Sequence, residues 1–436
     1  MQQKSGWETV SRKHFIFAAG LALAVGIAAI IESVVTIQTA ADSDQLAFFF
    51  PAAQRILNGN PFTIYAVRYG TYPNYNPPLS TILMAPLIAL AQVIHLPGAA
   101  ACVASGYNSE SCRSLVAFVG VWFIPFVALL AVAAAYAVQK MNARASRSEV
   151  FIAFSLIIFS PLIWQNFTTW WHFEQPMMLF FFVAGILQLQ SGRPYLAGTL
   201  LGLAMLTRTT AAVPLIAVCV VLLLEKQYGV LAKLAGVMVG VGLVGIGPFF
   251  LFDRQDTMFS LIQWRGGAQI GNSVWSIFIG TPLGSLAKHL DLPTAILVAM
   301  ALAYIAFRRF SVRMNSQNLW GLIALAALLV PLLSKTVWPY YYAEPFVFIV
   351  IWEFMTMRDM NAGLWRWPVI SAGFLSAALV LSQFMGLPSV THGGIVLRMM
   401  GLINFAVMLA FAYILWKRTE DLPILEQSFA APDSVV

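Results

Sequence analysis

The sequence predicts an all-α polytopic membrane protein, and three observations lead to that fold class. Of the 436 residues, 60% are apolar and 10% are charged, whereas a soluble domain has about 45–50% apolar and about 25% charged residues. The apolar residues form long continuous runs, and a water-soluble core could not cover that much apolar surface. These runs do not alternate as the strands of a membrane barrel do. The pattern excludes a disordered chain, a disulfide-rich secreted module, an outer-membrane barrel and a nucleic-acid-binding domain.

The first apolar run, Phe15 to Ile37, follows three basic residues of the N-terminus, Lys4, Arg12 and Lys13. It is too long for the core of a signal peptide and lacks a clean cleavage site, so it predicts an uncleaved span with a cytoplasmic N-terminus. We expect about 12 spans in all, ending with a cytoplasmic C-terminus. The others are predicted at 115–138, 150–166, 176–190, 195–207, 211–224, 230–252, 293–308, 319–334, 341–357, 368–386 and 395–416.

Two segments decide the topology. Leu79 to Leu96 is about long enough to cross, but a crossing would place the basic residues 140–147 outside, so an interfacial or re-entrant helix is predicted. Tyr195 to Leu224 would be about 45 Å long as one helix, against a hydrocarbon layer of about 30 Å. Two short helices that meet at an outer-face Arg208 are predicted instead. This topology accounts for the net charge of +7 by orientation, and no basic nucleic-acid surface remains.

The chain is predicted to be one membrane domain, 1–418, followed by a cytoplasmic tail, 419–436. The domain has two outer loops of substance, 38–114 and 253–292. Three cysteines are too few for a disulfide framework. Cys102 and Cys112 share an outer loop and could pair if that loop faces an oxidising space.

Nucleotide and metal motifs are absent from the sequence. It contains no Walker A loop, no dinucleotide-binding fingerprint after a strand, no H-E-x-x-H and no Cys/His cluster of metal-ligand spacing. The sequence therefore gives no indication of ATP-driven transport.

The most informative stretch is 42–78, which opens with Asp42 and Asp44 at the outer end of the first span. An apolar-rich segment follows and ends at the helix-stop signature 58–61, and four tyrosines come next. A carboxylate beside an interfacial helix and a tyrosine-rich strip suits an amphiphile with a sugar-like head. The alternative is that the two aspartates cap the helix and the tyrosines form an aromatic belt.

Other polar residues are predicted at the same outer face. The loop 168–176 contains His172, Glu174 and Gln175. Cations at this boundary oppose the orientation bias, and they have two explanations: contact with lipid headgroups, or a phosphate held at the interface. Phosphate donors would be Arg208, Arg265 and Lys335.

The order of these features resembles the GT-C glycosyltransferases, and most closely family 87, the polyprenol-phosphate-mannose-dependent α-mannosyltransferases. The matching block is an acidic residue after the first span, an aromatic, Ala, Leu-x-Gly and Pro pattern, and then Asn-Pro-Pro. Here these positions are Asp44, Phe49, Ala52, Leu57, Gly59, Pro61, Asn76, Pro77 and Pro78, followed by Pro86-Leu87. Later similarities are Gln175, the stretch 198–208, Asn272-Ser273 and Trp338 followed by Tyr340-Tyr341.

The resemblance implies a membrane enzyme that moves a hexose, mannose by family precedent, from a polyprenyl-phosphate sugar to a lipid or glycan acceptor. The donor would enter from the outer leaflet, and an aspartate would take the acceptor proton in an inverting single displacement. The partners are thus the donor, the acceptor and membrane lipids, with no nucleic acid. No cofactor is required; nearby carboxylates allow a divalent metal without requiring one. The location implied is a bacterial plasma membrane, with the site on the periplasmic face.

The residues predicted for this site fall into three groups. Asp44 is the expected general base, with Asp42 second. The donor phosphate would be bound by Arg208, Arg265 and Lys335. The sugar or acceptor would contact Tyr72, Tyr75, Asn76, His172, Glu174, Gln175, Trp338 and Tyr341.

Two other functions compete with this one. A secondary transporter or lipid flippase would show broken helices at matching positions of two halves and ionisable residues at mid-membrane. Only the interruption at Arg208 is evident, and the ionisable clusters are predicted at one surface. A membrane acyltransferase or polymer ligase would use lipid-linked substrates without this sugar donor.

Overall fold

The computed structural model describes residues 44–70, 72–107, 109–142, 145–264, 270–357, 368–385 and 394–421. The predicted span Phe15–Ile37, the second candidate base Asp42 and the phosphate candidate Arg265 lie outside the described residues. Almost all of the predicted tail 419–436 lies outside them too.

The regular structure of these residues is helical, apart from one short antiparallel hairpin, β1 (Arg68–Tyr69) and β2 (Tyr72–Pro73). A π-helical turn, Gln45–Phe49, leads into the first helix. The helices are α1 (Phe50–Leu57), α2 (Pro78–Val93), α3 (Ala99–Ala104), α4 (Ser109–Met141), α5 (Arg147–Ile158), α6 (Pro161–Thr168), α7 (Glu174–Gln190), α8 (Pro194–Thr207), α9 (Ala212–Leu224), α10 (Tyr228–Phe252), α11 (Arg254–Met258), α12 (Gly284–Arg309), α13 (Asn318–Leu333), α14 (Ala343–Thr356), α15 (Val369–Met385) and α16 (Ile395–Asp421).

The structure confirms the predicted fold class, an all-α polytopic membrane protein. Five helical segments of the described chain are long and apolar enough to cross a membrane: Ser111–Met141, Arg147–Thr168, Tyr228–Phe252, Gly284–Arg309 and Ile395–Glu420. Shorter apolar helices of 10–17 residues, among them α8, α9 and α13, accompany them. The predicted spans within the described chain coincide with helices, although two of these differ in extent. Pro161 begins a new helix inside 150–166, and α12 begins at Gly284 rather than at 293.

One end of the bundle gathers the loops that were predicted to be cytoplasmic. Lys140 Nζ donates a hydrogen bond to Leu187 O over 3.4 Å, across the ends of α4 and α7. The side chain of Gln190 donates to Met314 O, and that of Gln317 donates to Met141 O. The ends of α4, α7 and α12 therefore meet the start of α13, and we call this the cationic end.

The structure describes the helices of the two segments that decided the predicted topology. Arg208 separates α8 from α9 and lies at the opposite end of the bundle. The amide of Gln92, near the end of α2, donates to Gln54 Oε1 at 3.3 Å, and the Tyr107 hydroxyl donates to the same oxygen. Tyr107 just precedes α4, whose 33 residues span about 50 Å and reach the cationic end. The helix α2 thus ends beside the start of α4 and does not reach the cationic end.

Two pairs of glycines with G-x-x-x-G spacing, Gly198/Gly202 and Gly236/Gly240, differ in their packing. An added Cβ at Gly198 would lie 2.9 Å from Leu234 O, and one at Gly202 would lie 2.9 Å from Val241. These two glycines of α8 therefore let α10 approach closely. Gly236 and Gly240 of α10 face open space, with nothing within 4 Å of an added Cβ, so this second motif does not pack against another helix of the described chain.

A disulfide and a buried ion pair join neighbouring helices. A disulfide joins Cys102 of α3 to Cys112 of α4, which settles a pairing that the sequence left open. At the cationic end, Arg418 of α16 pairs with Glu353 of α14 at 2.8 Å, and both side chains are fully buried. The same carboxylate accepts from the backbone N–H of Ser371 at the start of α15. Sequence analysis assigned the net positive charge to orientation, whereas burial makes Arg418 a link between three helices.

Candidate functional site

Asp44 lies at the start of the helical segment that contains α1. It makes no side-chain hydrogen bond that caps the following turn, so the cap explanation is not supported at this position. Its carboxylate instead accepts a hydrogen bond from the side chain of Asn76. The side chain is 16% exposed, and this exposed part faces a cavity. The Asp44 carboxylate is therefore fixed by Asn76 and accessible from the cavity, and a general base needs both properties.

The cavity has a volume of about 1310 Å³ and lies at the end of the bundle opposite the cationic end. One part of its wall is apolar and comes from α8 and α10, through residues such as Met205 and Val239. The other part is polar and aromatic. Six predicted site residues line it: Asp44, Tyr72, Tyr75, Lys335, Trp338 and Tyr341. The cavity thus combines an apolar wall with a carboxylate, a cation and aromatic rings.

The electrostatics of the cavity centre on Asp44. Burial raises the pKa of its carboxyl above the ordinary value, and His172 opposes that shift. The pKa of the Tyr75 hydroxyl is raised well above its usual value, chiefly because the Asp44 carboxylate is near. Tyr75 is therefore a neutral hydroxyl at the wall of the cavity. Its ring lies 5.8 Å from that of Phe48, which orients it.

A buried network of charges lies behind Asp44. His172 Nε2 is 3.9 Å from Asp44 Oδ2, and His172 Nδ1 is 2.7 Å from Glu174 Oε1. Arg208 Nη1 donates to the same Glu174 oxygen at 2.6 Å, and Gln45 Nε2 donates to the other at 3.1 Å. Glu174 is fully buried, and its charge is balanced by Arg208.

Aromatic rings cover this network. The guanidinium of Arg208 lies over the ring of Tyr340 at 4.8 Å and near that of Tyr341 at 5.9 Å. The ring of His172 contacts that of Tyr340, with 3.8 Å between the ring centres. The Tyr340–Tyr341 pair therefore separates the buried charges from the solvent.

A second buried carboxylate belongs to Glu344, at the start of α14. Gln175 Nε2 donates to Glu344 Oε1 at 2.8 Å, and the hydroxyl of Thr210 donates to the same oxygen. These bonds tie α7 and α14 to the reversal between α8 and α9. Gln175 is thus engaged in holding helices together.

Lys335 lies at the polar wall of the cavity, in the loop after α13. Its ammonium donates to Lys288 O at 3.1 Å, and its backbone N–H lies 3.5 Å from Asp291 Oδ2. Lys288 and Asp291 line the cavity as well. Two lysines therefore share one part of the wall, close to a carboxylate.

The structure distributes the predicted residues over two layers. Asn76, His172, Glu174, Gln175 and Arg208 are buried behind the residues that line the cavity. His172, Glu174 and Gln175 were expected to contact the sugar or acceptor, and Arg208 the phosphate, but their polar groups bind one another or neighbouring helices. Burial of an ion pair between helices could not be read from the order of residues along the chain.

Two charged residues of the cavity wall, Lys288 and Asp291, were missed by sequence reasoning. A span was predicted to begin at 293, but Pro293 lies inside α12, which begins at Gly284. The first turns of α12 are polar and extend beyond the apolar stretch, so the apolar run did not reveal them. The three-residue spacing of Lys288 and Asp291, which puts both on one face of a helix, was the available signal.

In the part of the chain that the structure describes, no group of three or more His, Cys, Asp or Glu side chains is placed to hold a metal ion. Metal dependence therefore stays an open prediction, and no chemical step is assigned to a metal here.

The sequence matches no protein-family model and no curated protein. Among solved structures, the chain is similar to ArnT from Cupriavidus metallidurans bound to undecaprenyl phosphate, with a TM-score of 0.47 and 14% identity. The match covers 94% of this chain and 78% of that one. Similarity at this level is too low to carry the chemistry of that protein over, so the chemistry has to come from this chain's own residues.

Proposed function

We propose that the protein is a membrane glycosyltransferase of GT-C type that moves a sugar from a polyprenyl-phosphate donor to an acceptor hydroxyl. The observation that carries the proposal is the position of Asp44. Its carboxylate opens into a cavity with an apolar wall, aromatic rings and two lysines. A lipid-linked sugar phosphate has matching parts: an apolar chain, an anion and a polar ring.

The reaction is a single displacement in which Asp44 is the base. The acceptor oxygen forms a bond to the anomeric carbon while its proton passes to the Asp44 carboxylate. The bond from the anomeric carbon to the phosphate oxygen breaks, and the electron pair leaves on the phosphate. The configuration at the anomeric carbon is inverted.

The leaving phosphate gains negative charge in this step, and cations placed beforehand stabilise it. Lys335 and Lys288 are the candidates, because both line the cavity. Arg208 does not line it, and its charge already pairs with Glu174. We therefore assign the phosphate to the lysines and the ion pair to the support of the base.

The sugar ring would lie against the aromatic wall. Tyr72, Tyr75, Trp338 and Tyr341 combine apolar ring faces with polar groups, and sugars present the same combination. Trp338 is 38% exposed, and its ring stacks at 6.5 Å on that of Tyr340.

The finer assignments rest on the resemblance to family 87. These are mannose as the sugar, a lipid or glycan as the acceptor, and a plasma membrane with the cavity on the periplasmic side. The disulfide between Cys102 and Cys112 supports that side, because disulfides persist in oxidising compartments.

The test is the release of polyprenyl phosphate from a short-chain polyprenyl-phosphate mannose by purified protein in nanodiscs, with membrane lipids as acceptors. Asp44→Asn should lower the rate by about 100-fold or more, the usual contribution of a general base. Asp256→Asn is the matched control, since Asp256 pairs with Arg68 at the surface and does not line the cavity. If wild type releases nothing from mannose, glucose or arabinose donors, the transferase proposal is wrong and a transporter, flippase or ligase takes its place.

A further inference from the structure

His172 occupies the space between Asp44 and the buried ion pair. Its Nε2 faces the Asp44 carboxylate at 3.9 Å, and its Nδ1 contacts Glu174 at 2.7 Å. The imidazole therefore joins the carboxylate at the cavity to the charges behind it. His172 is 3% exposed and does not line the cavity, so substrate does not reach it.

The backbone around His172 is held on both sides. Its N–H donates to Asn166 O at 2.6 Å, and its carbonyl accepts from the N–H of Gln175 at 3.0 Å. Trp171, just before it, has a φ of 51°, a left-handed conformation that costs free energy in a bulky residue. The local chain is thus kept in a conformation that aims the imidazole at Asp44.

The position of His172 affects the pKa of Asp44, as do the other charges nearby. Burial raises the pKa of Asp44, which disfavours the form that accepts a proton. Glu174 raises this pKa further, whereas Arg208 and His172 lower it. Glu174 and Arg208 lie 2.6 Å apart and largely cancel at a distance, which leaves His172 as the decisive neighbour. In the described part of the chain, the other titratable groups that face Asp44 are hydroxyls, those of Tyr75 and Tyr340.

We infer that His172 is a positioning residue: it keeps Asp44 ionised and correctly oriented for proton transfer, while Glu174 fixes the imidazole. The partner of one ring nitrogen determines the orientation and the protonation of the other. Here Glu174 and Arg208 both contact Nδ1, at 2.7 and 3.1 Å, and Nε2 faces Asp44. This inference rests on the proposed role of Asp44 as the base.

The first test compares the pH profiles of kcat/KM of wild type, His172→Asn and His95→Asn. The amide of asparagine imitates Nδ1 and can still donate to Glu174, but nothing replaces Nε2. Activity requires ionised Asp44 and falls as the pH drops through its pKa. Loss of His172 should raise that pKa, so the acid limb should move to higher pH by about one unit or more. His95, an exposed histidine at the end of α2, should leave the limb in place.

A second test leaves His172 intact. Asp44→Asn removes the charge that faces Nε2 at 3.9 Å, so the Nε2 resonance of the His172 ring should move. NMR of protein with labelled histidine measures this change; the chain has five histidines. Asp256→Asn should leave that resonance unchanged.

The outcomes separate the two proposals. A wild type without transferase activity overturns the proposed function. An active wild type that depends on Asp44 but shows an unshifted acid limb in His172→Asn overturns the role of His172. If His172→Asn does not fold, the resonance decides: insensitivity of the His172 ring to Asp44→Asn overturns the inference.

Discussion

At the scale of single residues, position relative to the cavity distinguishes cations of similar expected role. Arg208 lies behind the cavity and is bonded to Glu174, whereas Lys335 lines the cavity wall. A charge already neutralised by a carboxylate 2.6 Å away has little attraction left for a phosphate. Lys335 lines the cavity, where a phosphate can reach its ammonium. Donor binding is therefore expected to depend on Lys335.

Lys335→Met should raise the KM for the polyprenyl-phosphate sugar by about tenfold or more, because a hydrogen bond to a charged group contributes about 1.5–3 kcal/mol. Steady-state kinetics at varied donor concentration measure it. Lys233→Met is the control, since Lys233 is exposed on α10 away from the cavity. An unchanged KM and kcat in Lys335→Met would remove Lys335 from the phosphate site.

At the scale of helices, close approach of α8 and α10 depends on small residues. Without a hydrophobic driving force inside a bilayer, helices associate through van der Waals packing, which favours glycine at the contact. Gly198 and Gly202 meet α10 directly, and Gly202 also borders the cavity. The packing of this pair therefore shapes part of the apolar wall.

Gly198→Ala should destabilise the fold by about 1–3 kcal/mol, the usual cost of overpacking, because its Cβ would lie 2.9 Å from a backbone oxygen. Gly236→Ala is the matched control: it faces open space, and alanine is the better helix former by about 0.5–1 kcal/mol. Thermal unfolding in detergent compares the two. Equal melting temperatures would mean that α8 and α10 leave room for a methyl group at Gly198.

At the scale of the whole molecule, the bundle has two chemically different ends. Loops rich in lysine and arginine meet at the cationic end, and the cavity with Asp44 lies at the other. Cytoplasmic loops carry an excess of these residues in membrane proteins. By this bias we expect the cavity on the outer face.

A membrane-impermeant maleimide should label Asn58→Cys in intact cells and Asn315→Cys only after permeabilisation. Both positions are exposed, the first beside α1 and the second in the loop before α13. The wild-type chain is the blank, since its one free cysteine, Cys219, is only partly exposed and lies within α9. The opposite labelling pattern would invert the topology and place the cavity in the cytoplasm.

The sequence by itself determined the fold class, most helix positions and the turn at Arg208, because these follow from the lengths of apolar runs and from the sign of the flanking charges. It also brought Asp44, Tyr72, Tyr75, Lys335, Trp338 and Tyr341 to attention, and the structure gathers these around one cavity.

Only the tertiary structure decided which polar residues face that cavity. His172, Glu174 and Arg208 are distant from Asp44 in sequence, and burial of their charges depends on how α7, α8 and α14 pack together. Lys288 and Asp291 reach the wall because α12 continues past Pro293 into a polar region. Hydropathy measures transfer from water to lipid, one segment at a time. The depth of a side chain behind a wall depends on several segments at once.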